Sequence, residues 1–187
     1  MKVKTIFFSI PLSMLLCLLL SACKGDDPIS RANPCAFYFY YEPHPTSLIF
    51  SAYRSPGMFV YVWSEVETNG RRHIYVESND GKSEIEDNIV TTAIEQQSPC
   101  IMGVSNQIGL IVGCTNFNGP TAFDRSCPNC LTHVPLTWYE SNRQHVVCEK
   151  CKRRYDLNTG TLVSGAAGEA LMRYIIQFDG RRLHVGN

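Results

Sequence analysis

The residues best suited to chemistry are four cysteines in two pairs, Cys127-Pro128-Asn129-Cys130 and Cys148-Glu149-Lys150-Cys151, spaced C-x2-C-x17-C-x2-C. Two cysteines separated by two residues can turn both sulfurs toward one point, and amide N–H groups within such a turn face the thiolates. Two such turns on neighbouring hairpins complete a tetrahedron of sulfurs, the donor set of a structural zinc site with metal–sulfur bonds of about 2.3 Å. One C-x-x-C is a weak signal; two at this spacing are a strong one. Four thiolates around a divalent ion leave negative charge, which Lys150, Lys152, Arg153 and Arg154 could partly offset. Two other chemistries use the same residues. Outside the cytoplasm the thiols could oxidise, forming disulfides within or across the loops. A thioredoxin-like redox role needs the motif at a helix N-terminus, which lowers the thiol pKa. Pro135, five residues beyond Cys130, argues against a long helix there.

His133 and His145 lie near the loops and could substitute as ligands, though each reads more simply as an ordinary strand or loop residue. Of the nine cysteines, Cys35, Cys100 and Cys114 also belong to the mature chain. Cys114 sits in an apolar run and reads as core. Cys35 and Cys100 could bridge the early strands to the C-terminal part, but spacing alone does not establish connectivity.

The elements that must position the cysteines read as strands. Turn dipeptides punctuate the chain at Asn69-Gly70, Asp80-Gly81, Asn118-Gly119 and Asp179-Gly180, pairs that tolerate positive φ and favour tight hairpins. Between them lie runs rich in Val, Ile, Tyr, Phe and Trp: 36–41, 47–53, 58–66, 72–77, 88–94, 108–114, 121–123, 145–147 and 174–178. Such residues suit pleated, half-buried surfaces. No window of about 12 residues shows helical periodicity, and 166–172 would form at most a short turn of helix. The aromatic run Phe37 to Tyr41 and the run Met58 to Trp63 read as core strands before ligand-stacking surfaces. The expected class is all-β.

The N-terminus reads as an address. Lys2 and Lys4 precede an apolar stretch from Ile6 to Leu20, too short for a comfortable membrane span of roughly 20 residues and shaped like a secretory signal. Leu20-Ser21-Ala22-Cys23 then resembles the bacterial lipoprotein signal motif. That resemblance implies cleavage of 1–22, diacylglycerol on Cys23, and a polar tether over 23–34 leading to a domain at 35–187. The expected location is the cell envelope, with membrane attachment through lipid on the outer membrane, facing the periplasm or the surface. Asp26 and Asp27 look like the surface-export signal of some Gram-negative lipoproteins. No Arg-Arg pair precedes the apolar stretch, so export is of the general secretory kind and the chain crosses unfolded. Any metal is then acquired outside.

From 108 to 187 the chain resembles the Rieske domain superfamily, and more closely the Rieske-like lipoproteins of gut-type bacteria. The resemblance rests on Phe123-Asp124-Arg125-Ser126-Cys127-Pro128, on Val146-Val147-Cys148-Glu149-Lys150-Cys151 and on Tyr155-Asp156-Leu157-Asn158-Thr159-Gly160. It implies Rieske-like antiparallel sheets and a metal-binding tip akin to those of rubredoxin and zinc ribbons. Asp124 and Asp156 match structural positions of the family pattern. The departures are chemical. A Rieske cluster uses two histidines, but Cys151 stands for the second, and Asn129 occupies the first one's place with Cys130 one residue on. Lys152 and Arg153 replace the usual Gly-Ser, and the covering loop at 165–171 lacks its proline. The expected cofactor is one four-cysteine metal centre at Cys127, Cys130, Cys148 and Cys151, with Zn2+ favoured. A low-potential [2Fe–2S] centre is the alternative, and such clusters are normally built in the cytoplasm.

Seventeen basic and 17 acidic residues balance, so no basic field exists to drive counterion release from nucleic acid. No nucleophile elbow, phosphate-binding glycine loop or paired carboxylate is evident. Four protein ligands leave a metal no open position for substrate. The expectation is therefore a non-enzymatic lipoprotein presenting a β-surface to an unidentified protein partner, with a low-potential electron carrier as its rival.

Overall fold

The structure, a computed structural model, describes residues 29–81 and 84–187. The expected signal peptide, the lipidation site Cys23 and the tether as far as residue 28 lie outside the described residues. Strand occupies 41% and helix 8% of the described residues, so the protein is predominantly β.

The first half of the chain runs β1 (Cys35–Tyr40), α1 (Leu48–Arg54), β2 (Phe59–Val66), β3 (Arg72–Ser78), β4 (Glu86–Ile89), α2 (Ala93–Gln97) and β5 (Cys100–Met102). Then follow β6 (Leu110–Thr115) and β7 (Gly119–Asp124), and the short strands β8 (Thr137–Trp138), β9 (His145–Val147), β10 (Arg154–Asp156) and β11 (Leu162–Ser164). The hairpin β12 (Arg173–Phe178) and β13 (Arg182–Gly186) ends the fold. Nine strands form one sheet in the order β4-β3-β2-β6-β7-β12-β13-β1-β5, and β11-β10-β9-β8 form a second. All named strand pairs are antiparallel. Residues 35–89 and 110–186 thus share one sheet. The sheet curls: Cys100 Sγ lies 3.5 Å from Ser64 Oγ on β2, and Arg72 Nη1 on β3 donates to Ser98 O at 3.3 Å.

Side chains on a strand alternate between faces, and here both faces of the central strands are covered. Val60, Val62, Leu110, Val112 and Ala122 point inside the curl, onto Phe37, Phe39, Ile49 and Phe50. Phe59, Tyr61, Ile111 and Phe123 point the other way, into a second core with Leu136, Trp138, Val146, Tyr155 and Leu157. Double burial is why Met58 to Trp63 reads as a continuous apolar run. The second core fixes the small sheet on the large one. Its centre is a stack in which Trp138 lies 3.7 Å from the Tyr61 ring at 7°, with the Arg125 guanidinium 3.8 Å over the same tyrosine.

Two sequence expectations change. The run 47–53 is not a strand but helix α1, capped by Ser47, whose side chain accepts from Ile49 N at 3.4 Å. Ile49 and Ala52 lie three apart on the buried face, so the inner core selects the helical period. The run 88–94 stops as a strand at Ile89, and Thr92 opens α2 through a reciprocal capping box with Glu95. Residues 166–172 form no helix. The turn dipeptides perform as expected: Gly180, at φ 91°, turns β12 into β13.

Candidate metal centre

The first cysteine loop leaves the end of β7. Asp124 Oδ1 accepts from Ser126 N at 2.8 Å, and Cys127 N donates to Val134 O at 2.8 Å, which closes the loop at its base. Leu136 N donates to Arg125 O at 2.7 Å, and so returns the chain toward β8. The second loop joins β9 to β10. Cys148 N donates to Arg153 O at 2.9 Å and Lys152 N to Cys148 O at 2.8 Å. Lys152 takes a left-handed φ of 58° to complete that turn.

Together the loops bring the four predicted cysteines to one place. Sγ of Cys127 and Cys151 lie 3.7 Å apart, as do those of Cys130 and Cys148. All four sulfurs lie within 4.8 Å of one another. A regular tetrahedron with metal–sulfur bonds of about 2.3 Å has sulfur–sulfur edges of about 3.8 Å. A disulfide would need about 2.0 Å, and the seven cysteines of the described residues are all free. The four could therefore hold one metal ion. Cys127 and Cys148 are buried, while Cys130 and Cys151 are partly exposed.

No family model, curated protein or solved structure matches the chain.

A further set of side chains orders the sulfurs, and sequence reasoning did not assign it. Tyr155, on β10 and fully buried, has its Oη 3.6 Å from Cys127 Sγ. The same oxygen accepts from Asn129 Nδ2 at 2.9 Å, which leaves its proton for the sulfur. Burial pushes the Tyr155 phenol up, so it stays a donor. Asn129 also clasps the backbone of Glu169: Nδ2 donates to Glu169 O and Oδ1 accepts from Glu169 N, both at 2.9 Å. Arg153 holds the same segment, donating to Ala166 O at 2.9 Å and Ala167 O at 3.0 Å. Residues 165–171 are thereby strapped beside the cysteine loops. Asn129, expected only as the occupant of a lost ligand's place, is a clamp.

The thiols differ electrostatically. Burial raises Cys127 to about 12, against the hydrogen bond from Tyr155 that lowers it. Cys130 is raised, first by burial and then by its Cys148 and Cys151 neighbours. Burial also acts upward on Cys151, but the Arg153 backbone N–H and guanidinium, with Cys148 and Cys127, outweigh it and bring that thiol down to about 6. Metal ligation requires deprotonated thiols, so binding displaces protons from Cys127 and Cys130, the two thiols that burial holds up.

Other expected residues stand elsewhere. Of the four basic residues, Arg153 reaches the sulfurs, while Lys150 donates to Thr132 Oγ1 at 3.0 Å and Lys152 pairs with Glu149 Oε2 at 2.6 Å. Arg154 lies 4.5 Å over the Tyr139 ring. His133 and His145 are outside the cysteine group, with His145 Nε2 4.0 Å from Asp156 Oδ1. Asp156 accepts from Asn158 N at 2.9 Å, within its own turn. Cys114 is buried in β6. Cys35 and Cys100 occupy paired strands, but Cys35 faces Met102 and Cys100 faces Phe37. No bridge joins them. Burial raises Cys35 to about 12, which keeps it a protonated, unreactive thiol.

Replacing Tyr155 with phenylalanine should preserve the fold and weaken metal binding. Loss of a partner behind the ligands costs about 10- to 100-fold in affinity. Competition against a chromophoric chelator measures this, and unchanged affinity would show that Tyr155 only packs.

Proposed function

We propose that this chain is an exported lipoprotein, anchored by lipid on Cys23 to a membrane of the cell envelope. Its Rieske-like β-domain holds one zinc ion through Cys127, Cys130, Cys148 and Cys151, in a structural and non-catalytic role. The observation that supports this most is the tetrahedral spacing of four sulfurs, at 3.7 Å and all within 4.8 Å. Four thiolates close the coordination shell, so the metal's contribution is to tie the two loops together.

The resemblance to Rieske domains rests on the two loops and the Tyr155–Gly160 run, and the cysteine loops hang between strands as that pattern implies. A [2Fe–2S] cluster interposes two irons and two sulfides between its thiolate pairs and spreads them beyond a single-ion tetrahedron, so the observed spacing favours a mononuclear centre over the electron-transfer alternative. Zinc fits an exported chain because it can be acquired after translocation. Elemental analysis of protein purified without an affinity tag of histidines should give one zinc per chain and a colourless solution. A visible band that bleaches on reduction would overturn the zinc reading in favour of iron.

A further inference from the structure

We infer that the first cysteine loop is the part of the protein that meets the lipid surface, with Leu131 as its apolar contact. The inference rests on the lipid anchor proposed at Cys23. Leu131 is 100% exposed and Phe117 is 91% exposed, and no other large apolar side chain approaches them among the described residues. They lie at opposite ends of β7. Phe117 tops the turn between β6 and β7, whereas Leu131 follows the cysteines beyond Asp124. The six residues of β7 alone separate the two ends by about 20 Å.

The N-terminal segment joins the fold at the cysteine end. Ser30 N donates to Arg173 O at 2.7 Å, and Arg173 pairs with Phe123 at the loop end of β7. Asn187 Nδ2 holds the incoming backbone at Ser30 O (2.8 Å) and Asn33 O (2.6 Å). Asn33 then lines a cleft of about 520 Å3 together with Cys130, Leu131, His133 and Met172. Seven peptide units separate Cys23 from Ser30, and whatever their conformation they reach no farther than roughly 25 Å. A lipid on Cys23 therefore attaches the chain at its Leu131 end, which can rest on the bilayer with the tether slack, whereas the Phe117 end reaches it only with the tether nearly extended. Lys150 Nζ is held at 3.0 Å from Thr132 Oγ1, beside Leu131. An apolar side chain next to an ammonium suits the boundary between acyl chains and headgroups.

The test uses the full lipidated protein in phosphatidylcholine nanodiscs doped with a lipid spin-labelled on its acyl chain. Mass spectrometry first reads the lipid on Cys23. Relaxation enhancement should be at least fivefold larger at the Leu131 methyls than at the Phe117 ring protons. In Leu131→Asp, enhancement at Val134 in the same loop should fall severalfold, with metal content unchanged. Equal enhancement at residues 131 and 117 on a lipidated protein would overturn the orientation and leave the anchor standing. An unlipidated Cys23 would remove both. A Leu131 shielded from a water-soluble relaxation agent but untouched by the lipid label would assign this loop to a second copy of the chain, and would likewise overturn the inference.

Discussion

If the four cysteines hold zinc as proposed, chelating it, or replacing Cys148 with serine, should unfold the four-stranded sheet and leave the nine-stranded sheet largely intact. The reason lies in how the two cores are built. The inner core of Val60, Val62, Leu110, Val112 and their partners is closed by long strands and contains none of the four clustered cysteines. The second core includes Cys127 and Cys148 themselves and depends on β8 to β11, strands of two or three residues. Strands that short are marginal without a further constraint. Zinc binding contributes about 10 kcal/mol or more to the folding of small peptides. Here part of that is already supplied by apolar burial, so a loss on the order of 5 kcal/mol is expected. For a chain of this size that lowers Tm by about 10–20 °C. Hydrogen exchange should quicken by at least about 100-fold over 137–164, with far smaller changes in β2, β3 and β6. Identical exchange with and without chelator would remove the structural role from the metal.

The parts of this architecture that were legible from sequence are those encoded locally. Two residues between cysteines set the turn, so Cys127, Cys130, Cys148 and Cys151 could be assigned before any fold was known. Asn69-Gly70 and Asp179-Gly180 mark hairpins by the same logic. The α1 helix was not legible, because Leu-Ile-Phe-Ser-Ala-Tyr-Arg has strand-like residues throughout and only the inner core distinguishes its period. The α2 helix does carry a signal, Thr92 three residues before Glu95, but the apolar residues of 88–94 give the same stretch a strand-like composition. Strands β8, β10 and β11 are too short to show any period. The clamp of Tyr155, Asn129 and Arg153 was hidden for a different reason. It unites residues 129, 155 and 169, and no local pattern reports contacts across such separations.

Replacing Asp124 with alanine should destabilise the whole molecule. Asp124 is fully buried where β7 hands the chain to the first cysteine loop. Its Oδ2 accepts from Val104 N and from Tyr174 Oη, each at 2.9 Å, while Oδ1 accepts from Ser126 N at 2.8 Å. Alanine leaves two buried donors, Ser126 N and Tyr174 Oη, and the half-buried Val104 N without an acceptor, and each buried orphan costs about 1–3 kcal/mol. A total of about 3–5 kcal/mol is expected, because some relaxation lets water reach the backbone. The position of Asp124 decides how the loss is distributed. Tyr174 lies in the inner core and Ser126 precedes Cys127 of the four-cysteine cluster, so both sheets should lose protection together, unlike in Cys148→Ser. Gly103 belongs to the same knot: at φ 61° an added Cβ would overlap Asp124 Oδ2, and Gly103→Ala should resemble Asp124→Ala. Asp124→Asn keeps the shape and one carbonyl acceptor but turns an amide N–H2 toward backbone or phenol donors, so it should recover only part of the stability. An unfolding free energy from denaturant titration for Asp124→Ala within about 1 kcal/mol of the parent protein would show that these hydrogen bonds are readily replaced by solvent, and that the junction of the two sheets is held by apolar contacts alone.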